Sequence, residues 1–108
     1  MFLVRRVCRI ENRLNTWKVA DLLSKICNAY EEEQGRNKAT IYIGGRGTPG
    51  QGITVCAEWI QESLEETNVS SGVPSSVKEN SPKLVGLVDS YEIEFYELAT
   101  REKIDQWL

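Results

Sequence analysis

Residues 41–55 read IYIGGRGTPGQGITV, with five glycines set between two runs of β-branched residues. Gly45, Gly47 and Gly50 have the spacing G-x-G-x-x-G. In a dinucleotide-binding fold that fingerprint lies between a strand and a helix, so that a pyrophosphate meets free amides at the helix N-terminus. Here Gly52 is followed by Ile53, Thr54 and Val55, which continue as a strand. A P-loop fails as well, because no Lys-Ser or Lys-Thr follows the glycines. The stretch therefore predicts an antiparallel hairpin whose glycines serve positive-φ positions and bulges. Its tip, with Arg46 as its only charge, is placed to lie over a ligand cavity or to embrace a second subunit.

The flanking segments extend this reading in both directions. KATIYIGG and ITVCAEW are the hairpin strands, the second with Ile53, Val55, Ala57 and Trp59 on one face and Thr54, Cys56 and Glu58 on the other. Upstream, FLVRRVCRI over 2–10 predicts a strand showing Phe2, Val4, Arg6, Cys8 and Ile10 on one face and Leu3, Arg5, Val7 and Arg9 on the other. Between them, Val19, Leu22, Leu23, Ile26, Cys27 and Tyr30 form one apolar stripe and predict a helix from about 16 to 34. Asn15 or Thr16 is the expected cap, Leu14 and Val19 have the spacing of a hydrophobic staple, and Gly35 suits the left-handed residue past the helix end. Arg36 and Lys38 are expected to offset Glu31, Glu32 and Glu33 at the negative end of the helix dipole.

Downstream, IQESLEETN over 60–68 is read as a short acidic second helix. VSSGVPSSVKENSP reads as polar, turn-rich chain in which Pro74 and Ser81-Pro82 each open a short helical turn, and KLVGLV adds an apolar turn that docks on the body. DSYEIEFYELA alternates Tyr91, Ile93 and Phe95 against Glu92, Glu94 and Tyr96, the pattern of a final strand. Thr100 then caps a terminal helix carrying Ile104, Trp107 and Leu108, whose apolar side suggests docking, across a dimer if not on its own chain. The order is β-α-β-β-α-β with a terminal helix: a single ferredoxin-like α+β domain over 1–108, with a four-stranded antiparallel sheet and helices on one face. The open face would carry Cys56, Glu58, Glu92, Glu94 and Tyr96, too apolar at its centre to stay bare, so back-to-back dimerisation of two sheets is expected.

Composition narrows the function classes. A chain of 108 residues with 41% hydrophobic and 27% charged residues fits one small globular domain. A net charge of −3 argues against nucleic acid as a partner, since phosphate affinity comes from clustered Lys and Arg. Arg5, Arg6 and Arg9 interrupt the N-terminal apolar run before it can act as a signal, and no segment approaches the roughly 20 apolar residues of a membrane span. A cytoplasmic protein without a membrane partner is the expectation. Cys8, Cys27 and Cys56 are widely spaced with no C-x-x-C pair, so neither a disulfide framework nor a metal site is expected. They read as small buried hydrophobes, and with no histidine in the chain a Cys nucleophile lacks its usual base.

The N-terminal strand, TVCAEWIQESLEE running from strand into acidic helix, and the closing YEIEFYELA together resemble the dimeric α+β barrel superfamily, particularly antibiotic-biosynthesis-monooxygenase-like domains. Glu58-Trp59 resembles the aromatic end of that family's third strand, and EIEFYE its last strand. The resemblance covers nearly the whole chain. It implies a homodimer with a cavity between helices and sheet in each subunit, used by family members for cofactor-independent oxidation of aromatic polyketides, haem degradation, isomerisation or binding alone. The haem-degrading relatives bind iron through histidine, which this chain lacks, and the isomerase-like and chlorite-dismutase-like readings lose their polar machinery too. No cofactor is therefore expected.

Two functions follow as expectations: a homodimeric binder of an elongated apolar small molecule, fatty-acyl or polyketide-like, and a cofactor-independent monooxygenase-like enzyme on the same cavity. A structural dimer module with a filled core is the alternative to both. Arg6, Trp17, Trp59, Tyr91 and Phe95 are the candidate ligand-binding residues, with an arginine or tyrosine at the ligand's polar end. Arg6 is alternatively read as the partner of Glu58 or Glu94 in an internal ion pair. No catalytic residue is assigned; Glu58, Glu92 and Glu94 can form a carboxylate pair of raised pKa, but alternating glutamates on an outward face ordinarily serve solvation or a dimer salt bridge.

Overall fold

A computed structural model describes residues 1–50, 52–64 and 72–108. Strand β1 (Phe2–Ile10) runs through a 3-10 turn (Arg13–Asn15) into helix α1 (Thr16–Gln34). Strands β2 (Thr40–Gly44) and β3 (Ile53–Gln61) form the glycine hairpin, and helix α2 (Ser75–Val85), strand β4 (Ser90–Glu97) and helix α3 (Arg101–Trp107) complete the chain. The sheet order is β2-β3-β1-β4 and every pairing is antiparallel. This is the ferredoxin-like arrangement.

Gly45 shows why the hairpin needs glycine. Its φ is 78°, and a Cβ there would stand 1.7 Å from the carbonyl oxygen of Gly52, so any side chain would force the two strands apart. Its N–H donates to Thr48 Oγ1 at 3.0 Å, which closes the tip.

The register fixes which residues share a face. Val4 lies between Trp59 and Phe95, Arg6 between Ala57 and Ile93, and Cys8 between Val55 and Tyr91. These rows face the helices, and Val4, Cys8, Val55 and Ala57 are fully buried beneath the α1 stripe of Val19, Leu22, Leu23, Ile26 and Cys27. All three cysteines are free and buried. Among the described residues no helix is long and apolar enough to cross a membrane.

Three local expectations change. The second helix is Ser75–Val85, not the segment beginning at Ile60: Ile60 and Gln61 extend β3 by pairing with Leu3 and Phe2, and 65–68 of the expected helix lie outside the described residues. Helix α2 buries only Val77 and Leu84, two turns apart, and Pro82 lies inside it rather than opening a new turn. The staple at Leu14 does not form, since Leu14 is 87% exposed. Asn12 caps the preceding turn through Leu14 N–H at 3.1 Å, and the Thr16 hydroxyl donates back to Arg13 O at 2.7 Å. Thr100 does cap α3, accepting from Lys103 N–H at 3.2 Å, yet α3 buries none of its own residues.

Candidate functional site

The end of α1 delivers a cation to the helix side of the sheet. Gly35 adopts the left-handed conformation, φ 67° and ψ 21°, with its N–H on Glu31 O at 3.1 Å and the Arg36 N–H on Tyr30 O at 3.4 Å. This turn folds Arg36 back, so that its guanidinium lies 4.0 Å from the Tyr30 ring centroid and 4.7 Å from that of Trp59. The Trp59 ring is itself fixed. Its indole N–H donates to Gln61 Oε1 at 2.7 Å, and the Gln61 amide donates to Ser63 O at 2.9 Å, so the one fully buried amide side chain on β3 has partners at both ends.

Arg6 occupies the middle of the same face. The small side chain of Ala57 beside it leaves room for the guanidinium, which lies 5.3 Å from the Tyr91 ring centroid. Burial, and then the nearby Arg6 charge, depress the pKa of Arg36. Burial pushes the Tyr91 phenol up while the Arg6 charge opposes it. Burial also pushes the Cys8 thiol up to about 12 and the Cys27 thiol up to about 11, so both are neutral at physiological pH and unsuited to nucleophilic chemistry.

The helices leave part of this face uncovered. Helix α1 rests on β2 and β3, and α2 packs on α1. On β4, Ile93 is therefore 39% exposed and Phe95 44% exposed, although both point to the helix side. With Tyr91 they make an apolar row beside Arg6.

Of the residues singled out in the sequence, Arg6, Trp59, Tyr91 and Phe95 fall on this face. Trp17 does not join them. It is 65% exposed on α1 and lines a separate surface groove of about 530 Å³ with Ala20, Ser24, Ile41 and Ile43. Arg36 was expected only as a counter-charge to the helix end; the left-handed glycine immediately before it was the available signal that it turns inward.

The ion pair expected at Arg6 belongs instead to Arg5. Glu94 lies across from Arg5 in the β1–β4 register, and Glu58 across from it in the β1–β3 register, both on the face opposite Arg6. Arg5 donates from Nη1 to Glu94 Oε1 at 3.1 Å, from Nε to Tyr42 Oη at 2.8 Å and from Nη2 to Cys56 Sγ at 3.6 Å. One guanidinium thus ties together side chains from all four strands. Burial and a hydrogen bond with Glu58 push the Tyr42 phenol up to about 12. Glu92 is exposed, while Glu94 is ion-paired with Arg5.

No protein-family model matches the chain, and no curated protein matches it. Solved structures do. A candidate antibiotic biosynthesis monooxygenase from Deinococcus radiodurans is 18% identical, with a TM-score of 0.64 over 93% of this chain and 94% of its own. A NIPSNAP family protein from Agrobacterium tumefaciens is 16% identical, with a TM-score of 0.64 over 93% of each chain. A dimeric protein of unknown function and ferredoxin-like fold from Bacteroides fragilis is 13% identical, with a TM-score of 0.55 over 90% of this chain and 96% of its own. Over about nine-tenths of its length, therefore, the chain has the ferredoxin-like α+β fold that antibiotic-biosynthesis-monooxygenase-like and NIPSNAP proteins share.

Proposed function

We propose that the chain is a homodimeric small-molecule-binding protein of the cytoplasm that takes an elongated apolar ligand, fatty-acyl or polyketide-like, on the helix side of its sheet. The observation that carries this reading is the pair Ile93 and Phe95, left exposed next to half-buried Tyr91 and Arg6 on a face that is otherwise core. Fully burying a side chain such as Ile or Phe is worth about 1.5–3 kcal/mol, so a ligand that covers Ile93 and Phe95 gains affinity from surface the fold leaves wet. Arg6 and Tyr91 supply the polar end of the site. Trp17 stands outside this reading.

Homodimerisation has its own support. On the face that carries Leu3 and Arg5, Tyr96 is 44% exposed, and α3 holds out Trp107 at 76% and Leu108 at 94% exposure. The Bacteroides structure of the same fold is a dimer. Cofactor-independent oxygenation is the second reading, favoured by the likeness to the Deinococcus protein. It asks the site for shape and a few polar contacts, because the substrate supplies its own reactivity.

Native mass spectrometry of the purified protein, paired with sedimentation, tests the proposal. A dimer that carries or takes up an acyl or polyketide-like compound is the expected result. A monomer, or a dimer that takes up none, would leave the structural-module alternative. Turnover of a bound compound under oxygen, lost when oxygen is excluded, would select the enzyme over the binder.

A further inference from the structure

Resting on the reading above, we propose that the polar end of the ligand is a carboxylate and that Arg6 and Arg36 hold it together. Two guanidiniums are brought to one half-buried face, Arg6 from the middle of β1 and Arg36 from the turn after α1. Neither has an ion-pair partner among the described residues, where the ion pairs use Arg5, Lys25, Lys83 and Arg101. Glu31, the acid at the same end of α1, accepts the Ala39 N–H at 2.9 Å and forms no ion pair with Arg36. Half-buried like charges ordinarily find an opposite charge, and none is paired with either among the described residues.

The aromatic rings account for orientation, not for charge. Tyr30 and Trp59 flank Arg36, and Tyr91 flanks Arg6 and hydrogen-bonds to it through its phenol, so each guanidinium has a ring near it, but a ring or a phenol does not neutralise a fork of five N–H donors. A carboxylate matches that fork by geometry. Arg5 is the internal control: its N–H groups are committed to Tyr42, Glu94 and Cys56. Burial and the neighbouring Arg6 charge depress the pKa of Arg36, and an anion placed between the two cations would oppose both effects. Beyond the two cations the surface turns apolar along Ile93 and Phe95, which selects a carboxylate on an apolar body over a phosphate or a polyanion.

The experiment compares dodecanoate with dodecan-1-ol, both below their aggregation limits, by calorimetry and native mass spectrometry on the full chain. Dodecanoate should bind at least about tenfold more tightly than the alcohol, the scale of one charge-assisted contact. Arg6→Met and Arg36→Met should each bring the acid-over-alcohol affinity ratio down toward one. Arg36→Lys, which keeps the charge without the fork, should retain part of the preference; this variant and Arg6→Met decide the matter if Arg36→Met fails to fold by circular dichroism. Equal binding of acid and alcohol would overturn the carboxylate assignment and leave the apolar site standing. Binding of neither would overturn both.

Discussion

Arg5 and Arg6 are neighbours in β1, and the alternation of the strand sends them to opposite faces of one sheet. Arg5 meets Tyr42, Cys56 and Glu94 from three other strands and spends its N–H groups on them. Arg6, one residue on, meets Ala57, Ile93 and Tyr91, with no ion-pair partner among the described residues. The same side chain is thus an ion-paired fastening across four strands on one face and a cation beside a tyrosine on the other. What separates the two is the register of β4 against β1, which sets Glu94 opposite Arg5 and Ile93 opposite Arg6.

The harshest way to break the comparison is to remove the platform on the helix side. Trp59 is 3% exposed, and replacing such a residue with alanine costs about 3–5 kcal/mol through lost burial and the cavity left behind. Trp59→Ala should lower the unfolding free energy measured by urea titration by that amount, and it should strand the Gln61 side-chain oxygen Oε1 and free Arg36 from one of its two rings. A small loss would mean that Arg36 is not held by packing. On the other face, Arg5→Met removes three contacts and leaves Glu94 and Tyr42 without them. With side-chain exposures of 30% and 32% at Arg5 and Glu94, the expected cost is about 2 kcal/mol. The proposed dimer should weaken with it in sedimentation, while dodecanoate binding stays unchanged. An intact dimer would detach the Arg5 cluster from assembly.

Alkaline pH sharpens the contrast with less force. Tyr42 is raised from the ordinary phenol value of 10.0 to about 12, chiefly by burial. The unfolded chain therefore loses this proton first, so the stability tied to neutral Tyr42 is present below pH 10 and is lost as pH rises through about 12. Melting followed from pH 9 to pH 12 should show a decline that Tyr42→Phe makes shallower. Equal declines would place the titrating group elsewhere.

The parts of the molecule legible in the sequence are those whose signal is local. The α1 stripe and the β-branched runs around the glycines announce themselves by period, and the hairpin follows from what comes after Gly52. Helix α2 hides because it buries just Val77 and Leu84 and carries Pro82 within it, so neither a continuous stripe nor a helix-favouring composition marks it. The site was legible by halves. Alternation put Arg6, Trp59, Tyr91 and Phe95 on one side, but the partner of Arg6 could not be read, because pairing across β1 and β4 depends on a register set by contacts far apart in sequence. Arg36 enters through a backbone reversal at Gly35, and the consequence of that reversal is three-dimensional.

Arg6→Met has the smallest expected effect on stability and is the most informative about the pair. The cation over Tyr91 is worth about 0.5–1 kcal/mol at a partly exposed site, and methionine, similar in length and apolar, recovers contact with Ile93 and Ala57. No carboxylate among the described residues is stranded, and the one hydrogen bond lost is to the half-buried Tyr91 phenol. The urea midpoint should therefore move little, or rise, since Arg36 loses a neighbouring like charge. Arg5→Met, by contrast, should lower it clearly. If the two variants lost stability equally, Arg6 would be a structural residue like its neighbour, and the open apolar row on β4 would have to recruit its ligand through Arg36 alone.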